Sequence, residues 1–308
     1  MQICAKILVV MEMKDLLNNC TLCPRECMVN RNKGELGFCW AGNKLKIAKA
    51  YLHMWEEPPI TGKNGSGTIF FSNCNLRCLF CQNYYISEEG NGVDVSTERF
   101  SHICLDLQKQ GATNINLVTP THYVPLIING IKLARKKGLR IPIVYNSSGY
   151  ESVDTIKLLD GIVDVYLPDF KYYSDKYAIK YSSCKDYFKY ASASLNEMVR
   201  QKPKCIFDKD GNIISGVIVR HLLIPGMEED SKRVLKYLYD TYGNKIYISI
   251  MNQYTPIRNC KYSELNTTID NKVYDEIIDY AWNIGIRNAF TQDGGTQKDS
   301  FIPKWDFK

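Results

Sequence analysis

Three cysteines within eight residues, in Phe71-Ser-Asn-Cys74-Asn-Leu-Arg-Cys78-Leu-Phe-Cys81-Gln-Asn83, constrain this chain more than any other feature. Thiolates are soft, strongly donating ligands, and three so close together converge on one small inorganic centre more readily than they disperse into a core. The apolar run just ahead, residues 68–72, reads as a short buried strand. The cysteines then occupy the loop at its C-terminal end, where barrel folds keep their chemistry. Structural zinc sites and ferredoxin clusters usually close with four protein ligands, whereas a cubane held by three leaves one iron open to a small molecule. The competing readings are a chance grouping, or zinc with a fourth ligand from elsewhere. Strand, loop and spacing together speak against both.

Cys-x3-Cys-x2-Cys with an aromatic residue, Phe80, just before the last cysteine resembles the signature of the radical S-adenosylmethionine (SAM) enzymes. The resemblance implies a 4Fe-4S cluster on Cys74, Cys78 and Cys81 whose open iron chelates SAM through its amino and carboxylate groups. It also implies reductive cleavage of SAM to methionine and a 5'-deoxyadenosyl radical that abstracts hydrogen, so the chain is expected to be an oxidoreductase. An electron donor of flavodoxin or ferredoxin type is implied as well.

With 308 residues, 45% of them hydrophobic, the chain can bury a substantial core. The apolar stretch Ile7–Met11 is short and is followed at once by Glu12, Lys14 and Asp15, unlike an export signal or a membrane span. A cytosolic protein is expected, and in a reducing compartment twelve cysteines argue for metal ligation over disulfides. Five of them, Cys4, Cys104, Cys184, Cys205 and Cys260, stand singly and read as buried or incidental thiols. Net charge is +6, and the tightest basic run, Arg135–Arg140, closes a predicted helix where cations oppose the dipole. Nothing in that pattern calls for nucleic acid.

A second cluster, Cys20-x2-Cys23-x3-Cys27-x11-Cys39, lies in a segment too short to fold on its own core. Four thiolates suit tetrahedral zinc or an iron-sulfur cluster, and the spacing decides for neither; unligated or redox thiols are the plain alternative. Lys44 to Pro59 reads as a link, ended by the double proline and the glycine-bearing stretch Gly62–Gly67. The expected organisation is therefore an N-terminal segment, 1–59, followed by the main domain, 60–308.

From residue 68 onward, apolar runs of strand length at 68–72, 114–118, 141–145, 162–167, 216–223, 246–251 and 286–290 alternate with helical periods such as Phe100, Ile103, Cys104 and Leu107. The alternation predicts an α/β fold, a parallel sheet with helices outside. The resemblance implies that the sheet forms a partial (β/α)6 barrel. Polar groups follow the strands in turn: Thr119-Pro-Thr121-His122, Asn146-Ser-Ser-Gly149, Asp169-Phe-Lys171, Arg220-His221 and Asn252–Pro256. Each alone is ordinary loop chemistry; one end of a barrel would collect them all.

Lys171 and Arg220 are the natural partners for the SAM carboxylate, and Thr119 or Thr121 for its amino group. Adjacent strand residues face opposite ways, so Arg220 and His221 cannot both point inward, and Arg220 is expected to do so. His122 is either a polar contact or proton donor near the cofactor, or a loop histidine with a structural hydrogen bond. The tyrosines at strand ends, Tyr123, Tyr145, Tyr150 and Tyr166, are expected in the core. Asp-x-Lys at 169–171 and Val-Arg-x4-Pro-Gly at 219–226 are similar to the activating enzymes of glycyl-radical enzymes, which implies Asp169 near the cofactor or a bound cation. Thr119-Pro-Thr-His122 stands where those enzymes carry Gly-Gly-Glu, which leaves the substrate open. Three readings follow: hydrogen abstraction from a protein or peptide, the same chemistry on a small metabolite or nucleoside, or a metal-binding electron-transfer or regulatory protein without SAM chemistry. The C-terminal stretch from Gln292, with Trp305, either closes the open side of the barrel or forms part of the entrance.

Overall fold

The computed structural model describes residues 16–292 together with Pro303 and Trp305. Its centre is a parallel sheet of β2 (Ser66–Phe71), β4 (Ile115–Val118), β5 (Ile143–Ser147), β6 (Val165–Pro168), β8 (Ile213–Leu222), β9 (Tyr247–Met251) and β10 (Ala289–Phe290), hydrogen-bonded in that order. β2, β5 and β6 are buried along their whole length, as parallel strands covered on both faces must be. The sheet runs from β10 at one edge to β3 (Val93–Val95) at the other without closing, and the two-residue β7 (Ile206–Phe207) pairs antiparallel with β8. All seven predicted strands are present, the last reduced to two residues.

Lys44–Pro59 is more than a link. Leu45–His53 forms β1, antiparallel to β2 with Tyr51 opposite Thr68 and His53 opposite Ser66, and β3 pairs with its outer edge. Leu45 and Ile47 are buried while Lys46 and Lys49 are not. That is the alternation of a strand with one face on the core, and the interspersed lysines disguise it. The double proline then opens a short helical turn, Pro58–Thr61.

Alternation along the strands separates two environments. Leu117, Tyr145, Tyr166, Val217 and Val219 join the main core, which also takes in buried residues of the outer helices α1 (Thr97–Lys109), α2 (Val124–Lys136), α3 (Val153–Leu158), α4 (Asp175–Ser182), α5 (Tyr187–Gln201), α6 (Glu228–Tyr242) and α7 (Asn271–Asn283). Val144, Val165, Leu167 and Ile218 cluster with Ile60 and Ile213 on the other face. The polar Asn116, Asn146 and Arg220 share the register of that second set, and they are linked by side-chain hydrogen bonds among themselves and to Glu56. Apolar packing thus fills one part of the inner face and leaves a polar cleft at the C-terminal ends of the strands.

Local choices support the helices. Ser96 caps α1 by accepting from the Arg99 amide at 3.2 Å. Gly130 of α2 lies so close to the Phe100 ring that an added Cβ would come within 2.3 Å of it. No helix among the described residues is long and apolar enough to cross a membrane.

Candidate active site

The cleft has a volume of about 230 Å³, and its wall brings together Cys74, Cys78, Cys81, Phe80, Thr119, Asn146, Asp169, Lys171 and Arg220. Polar neighbours already engage each thiol: the Leu76 amide reaches Cys74 Sγ at 3.4 Å, Ser182 Oγ reaches Cys78 Sγ at 2.9 Å, and Ser87 Oγ lies 3.2 Å from Cys81 Sγ. Burial pushes the Cys78 thiol up to about 11, with Lys171 pulling the other way. Cys74 and Cys81 are raised by burial too. Thiols this desolvated ionise when a cation is placed among them.

Opposite them lies an ion lattice. Asp169 Oδ2 accepts from Lys171 Nζ at 2.6 Å and Oδ1 from Arg220 Nε at 3.0 Å. Arg220 Nη1 reaches Glu56 Oε2 at 3.4 Å, Arg220 Nη2 donates to Asn146 Oδ1, and Asn116 donates to Glu56 Oε1 at 2.8 Å. Burial alone would raise Asp169, but the Lys171 and Arg220 charges hold it below the usual carboxylate range. Asp169 in turn raises Lys171 against the effect of burial. Glu56 and Glu57 are different: burial raises both, only partly offset by Arg220, and favours their neutral form. Lys171 and Arg220 thus place two cations around Asp169 at the cleft, and Lys171 bears on the Cys78 thiol.

The remaining predicted residues separate. Thr119 lines the cleft in a left-handed conformation, φ +58°. Thr121 is buried elsewhere, donating to Glu151 Oε1 at 2.7 Å. His122 is also outside the cleft wall: its Nε2 lies 2.9 Å from the Ser72 carbonyl, and burial lowers it to about 3. The ring lines a second cavity, shared with the four N-terminal cysteines. Arg220 faces the cleft and His221 the opposite side, its Nδ1 2.7 Å from the Phe170 carbonyl. Tyr145 and Tyr166 belong to the core, hydrogen-bonded to Glu151 and Gln201. Pro303 touches the cleft wall and Trp305 packs edge-on against Phe70; the turn residues predicted at 293–296 lie outside the described residues.

His53, Glu56 and Glu57 went unassigned in the sequence, although His53 and Glu56 line the cleft and Glu57 lies beside Arg220 in an adjoining pocket; Gln253, within the Asn252–Pro256 group, lines the cleft as well. The signal available was the acidic pair directly ahead of Pro58-Pro59, which marks a turn and equally places two carboxylates just past the end of β1. Arg258 was missed as well. It clamps the cluster loop by donating to the Leu79 carbonyl at 3.1 Å while pairing with Glu88 at 2.6 Å.

Three free thiols on one loop, a cationic wall across a cleft at the C-terminal ends of parallel strands, and an open sheet define an α/β half-barrel with a thiol-lined cleft. Residues 68–238 match the Radical SAM superfamily, and the chain belongs to that family. An uncharacterized protein of Methanocaldococcus jannaschii, MJ0674, is 29% identical over 275 residues, covering 86% of this chain and 73% of that protein. A second from the same organism, MJ0808, is 25% identical over 51% of this chain and 50% of its own length. Among solved structures, Streptococcus suis SuiB bound to SAM superposes with a TM-score of 0.51 at 11% identity, over 72% of this chain and 49% of SuiB. The hydrogenase maturase HydG from Carboxydothermus hydrogenoformans gives 0.51 at 12%, over 74% and 54%. The chain spans about half the length of each of these two, and the likeness is one of fold. Family membership implies an enzyme with a 4Fe-4S cluster and SAM. The donor set fits: three soft ligands on one loop, and two cations, Lys171 and Arg220, on the cleft wall for a carboxylate.

Proposed function

We propose that this radical SAM enzyme abstracts a hydrogen atom from a protein or peptide segment presented at the mouth of the cleft, the activation of a glycyl-radical enzyme being the form that the Asp169-x-Lys171 and Arg220 pattern favours. The carrying observation is the rim of the cleft. Trp55 on its wall is 58% exposed and its neighbour Met54 is exposed too, an apolar surface offered to a partner rather than closed around a small ligand. A fold of this type with a peptide is seen in SuiB bound to its precursor peptide SuiA, at a TM-score of 0.50 and 11% identity.

Cys74, Cys78 and Cys81 would hold the cluster, which when reduced supplies the electron that splits the sulfonium of SAM. Lys171 and Arg220 orient the cofactor carboxylate by charge and Asp169 fixes both cations in place. Thr119 and Asn146 offer oxygen acceptors to the amino group. Phe80 and Met251 help to wall the cleft from water. The electron comes from a low-potential donor of flavodoxin or ferredoxin type.

The test is 5'-deoxyadenosine formation by anaerobically reconstituted protein, wild type beside Cys74→Ala/Cys78→Ala/Cys81→Ala, with a perdeuterated cell extract split into macromolecular and small-molecule fractions. The expected result is product from wild type only, with deuterium acquired from the macromolecular fraction. Deuterium from the small-molecule fraction alone would overturn the protein-substrate reading in favour of a metabolite.

A further inference from the structure

We propose that Cys20, Cys23, Cys27 and Cys39 bind a second metal centre as a tetrathiolate, and that this centre braces the loop carrying Cys74, Cys78 and Cys81. All four are free thiols lining one enclosed cavity of about 10 Å³, the room of a single water. The chain is shaped to put them there. Reciprocal backbone bonds, Cys20 N to Val29 O at 3.0 Å and Met28 N to Cys20 O at 3.1 Å, close the first three into one loop. The Phe38 amide then points at Cys27 Sγ from 3.4 Å. Gly37 lies so close that a Cβ there would sit 2.8 Å from the Cys27 sulfur.

Two further observations ask for a metal. Arg31 is 1% exposed, donates to the Gly42 and His122 carbonyls and comes within 3.9 Å of Cys20 Sγ. No carboxylate among the described residues forms an ion pair with it. A buried guanidinium needs an anion, and four thiolates around a divalent ion or a cubane carry net negative charge. His122, on the same cavity wall, has a buried Nδ1 without a hydrogen-bond partner. Its other nitrogen lies 2.9 Å from the Ser72 carbonyl, so Nδ1 is left for a polar neighbour that the protein itself does not supply. Among the described residues no three such side chains converge as closely as a single ion requires, and a tetrathiolate therefore requires the loop to draw in when metal binds.

The brace is a stack. The guanidinium groups of Arg25 and Arg77 lie over the ring of Phe38, next to Cys39, at 3.7 and 4.9 Å. Arg77 donates to the Phe38 carbonyl at 2.6 Å and to the Cys74 carbonyl at 2.9 Å, and Arg25 donates to the Asn75 carbonyl at 3.1 Å. The two cysteine loops are thereby tied through backbone atoms beside Cys39 and Cys74.

The decisive protein is Cys74→Ala/Cys78→Ala/Cys81→Ala, reconstituted anaerobically with iron and sulfide in one arm and with zinc in the other, then desalted. Retention of about one zinc, or of iron with matching sulfide, is expected, and adding Cys23→Ser/Cys39→Ser should abolish it. Zinc retention marks a structural site and iron with sulfide a second cluster; either supports the tetrathiolate, and metal in neither arm overturns it. Should the multiple variants not fold, alkylation of wild type decides. Cys20, Cys23, Cys27 and Cys39 are expected to be protected until a chelator is added, and equal labelling before and after overturns the site. For the brace, Cys23→Ser/Cys39→Ser alone should release iron from the other loop to a chelator several-fold faster than wild type, and an unchanged rate would discard it. None of these readouts depends on turnover or on the substrate.

Discussion

Arg220 is the residue on which the cleft's charge balance turns, because it faces Asp169 and Glu56 at once with a fork that lysine cannot reproduce. Replacing it with methionine strands buried carboxylates, which costs about 3–5 kcal/mol when one partner of a buried pair is removed. R220M should therefore lower stability to chemical denaturation by that order and abolish SAM binding, while Arg220→Lys keeps the charge and recovers only part of both. Glu151 offers a second test. It is fully buried among Thr121, Tyr145 and Ser147, and burial raises it from 4.5 to about 7. Its contribution is complete below the unfolded value and is lost as pH climbs through 7, a change of roughly 3 kcal/mol for a shift of that size. Unfolding measured from pH 4.5 to 7.5 should show wild type losing stability on this account and Glu151→Gln losing correspondingly less. At this scale the sequence spoke clearly where chemistry demanded a residue type: the three cysteines, Asp169, Lys171 and Arg220 line one cleft. It was silent on Glu56, which acts through its position three residues past the end of β1, it offered Thr121 to the cleft, and it left His122 open between the cleft and the structural hydrogen bond it makes, because a loop motif does not say which way its second half turns.

Elements were legible wherever burial left an apolar run, most completely in β2, β5 and β6, which are buried along their whole length. β1 escaped because only one face of it packs inward, and lysines at 46 and 49 read as a solvated link. The same pairing shows how closely the strand ends are set. Gly149, just after β5, has φ +77°, and a Cβ there would meet the Asp169 carbonyl at 2.1 Å and Tyr187 Oη at 2.9 Å. The left-handed conformation and the backbone contact both exclude a side chain. Gly149→Ala should push the β5 and β6 loops apart, weakening SAM binding by at least tenfold in equilibrium dialysis while circular dichroism stays that of a folded α/β protein. Wild-type affinity in the variant would show that the approach of these loops does not set the site.

An open sheet leaves its cleft without the continuous wall of a closed barrel, so the cluster loop must be secured from elements far apart in the chain. From the N-terminal side the Arg25, Phe38 and Arg77 stack holds it. From the C-terminal side Arg258, beyond β9, donates to the Leu79 carbonyl and pairs with Glu88 on the far flank of the cysteines. Gln82 reaches the Gln253 carbonyl at 2.9 Å beside it. The Arg258–Glu88 pair is partly exposed, 31% and 26% at the side chains, so its removal costs at most about 1 kcal/mol of global stability. Its local effect is larger, because the same guanidinium fixes the backbone between Cys78 and Cys81. Arg258→Ala should leave the melting temperature of the reconstituted protein within a few degrees of wild type and yet speed chelation of iron severalfold, with 5'-deoxyadenosine formation falling in proportion to the iron lost. Arg258→Lys, which keeps charge but cannot bridge carbonyl and carboxylate together, should lie between the two. An Arg258→Ala protein that holds its iron as wild type does would mean that the loop needs no anchor beyond β9, and that the N-terminal stack alone secures it.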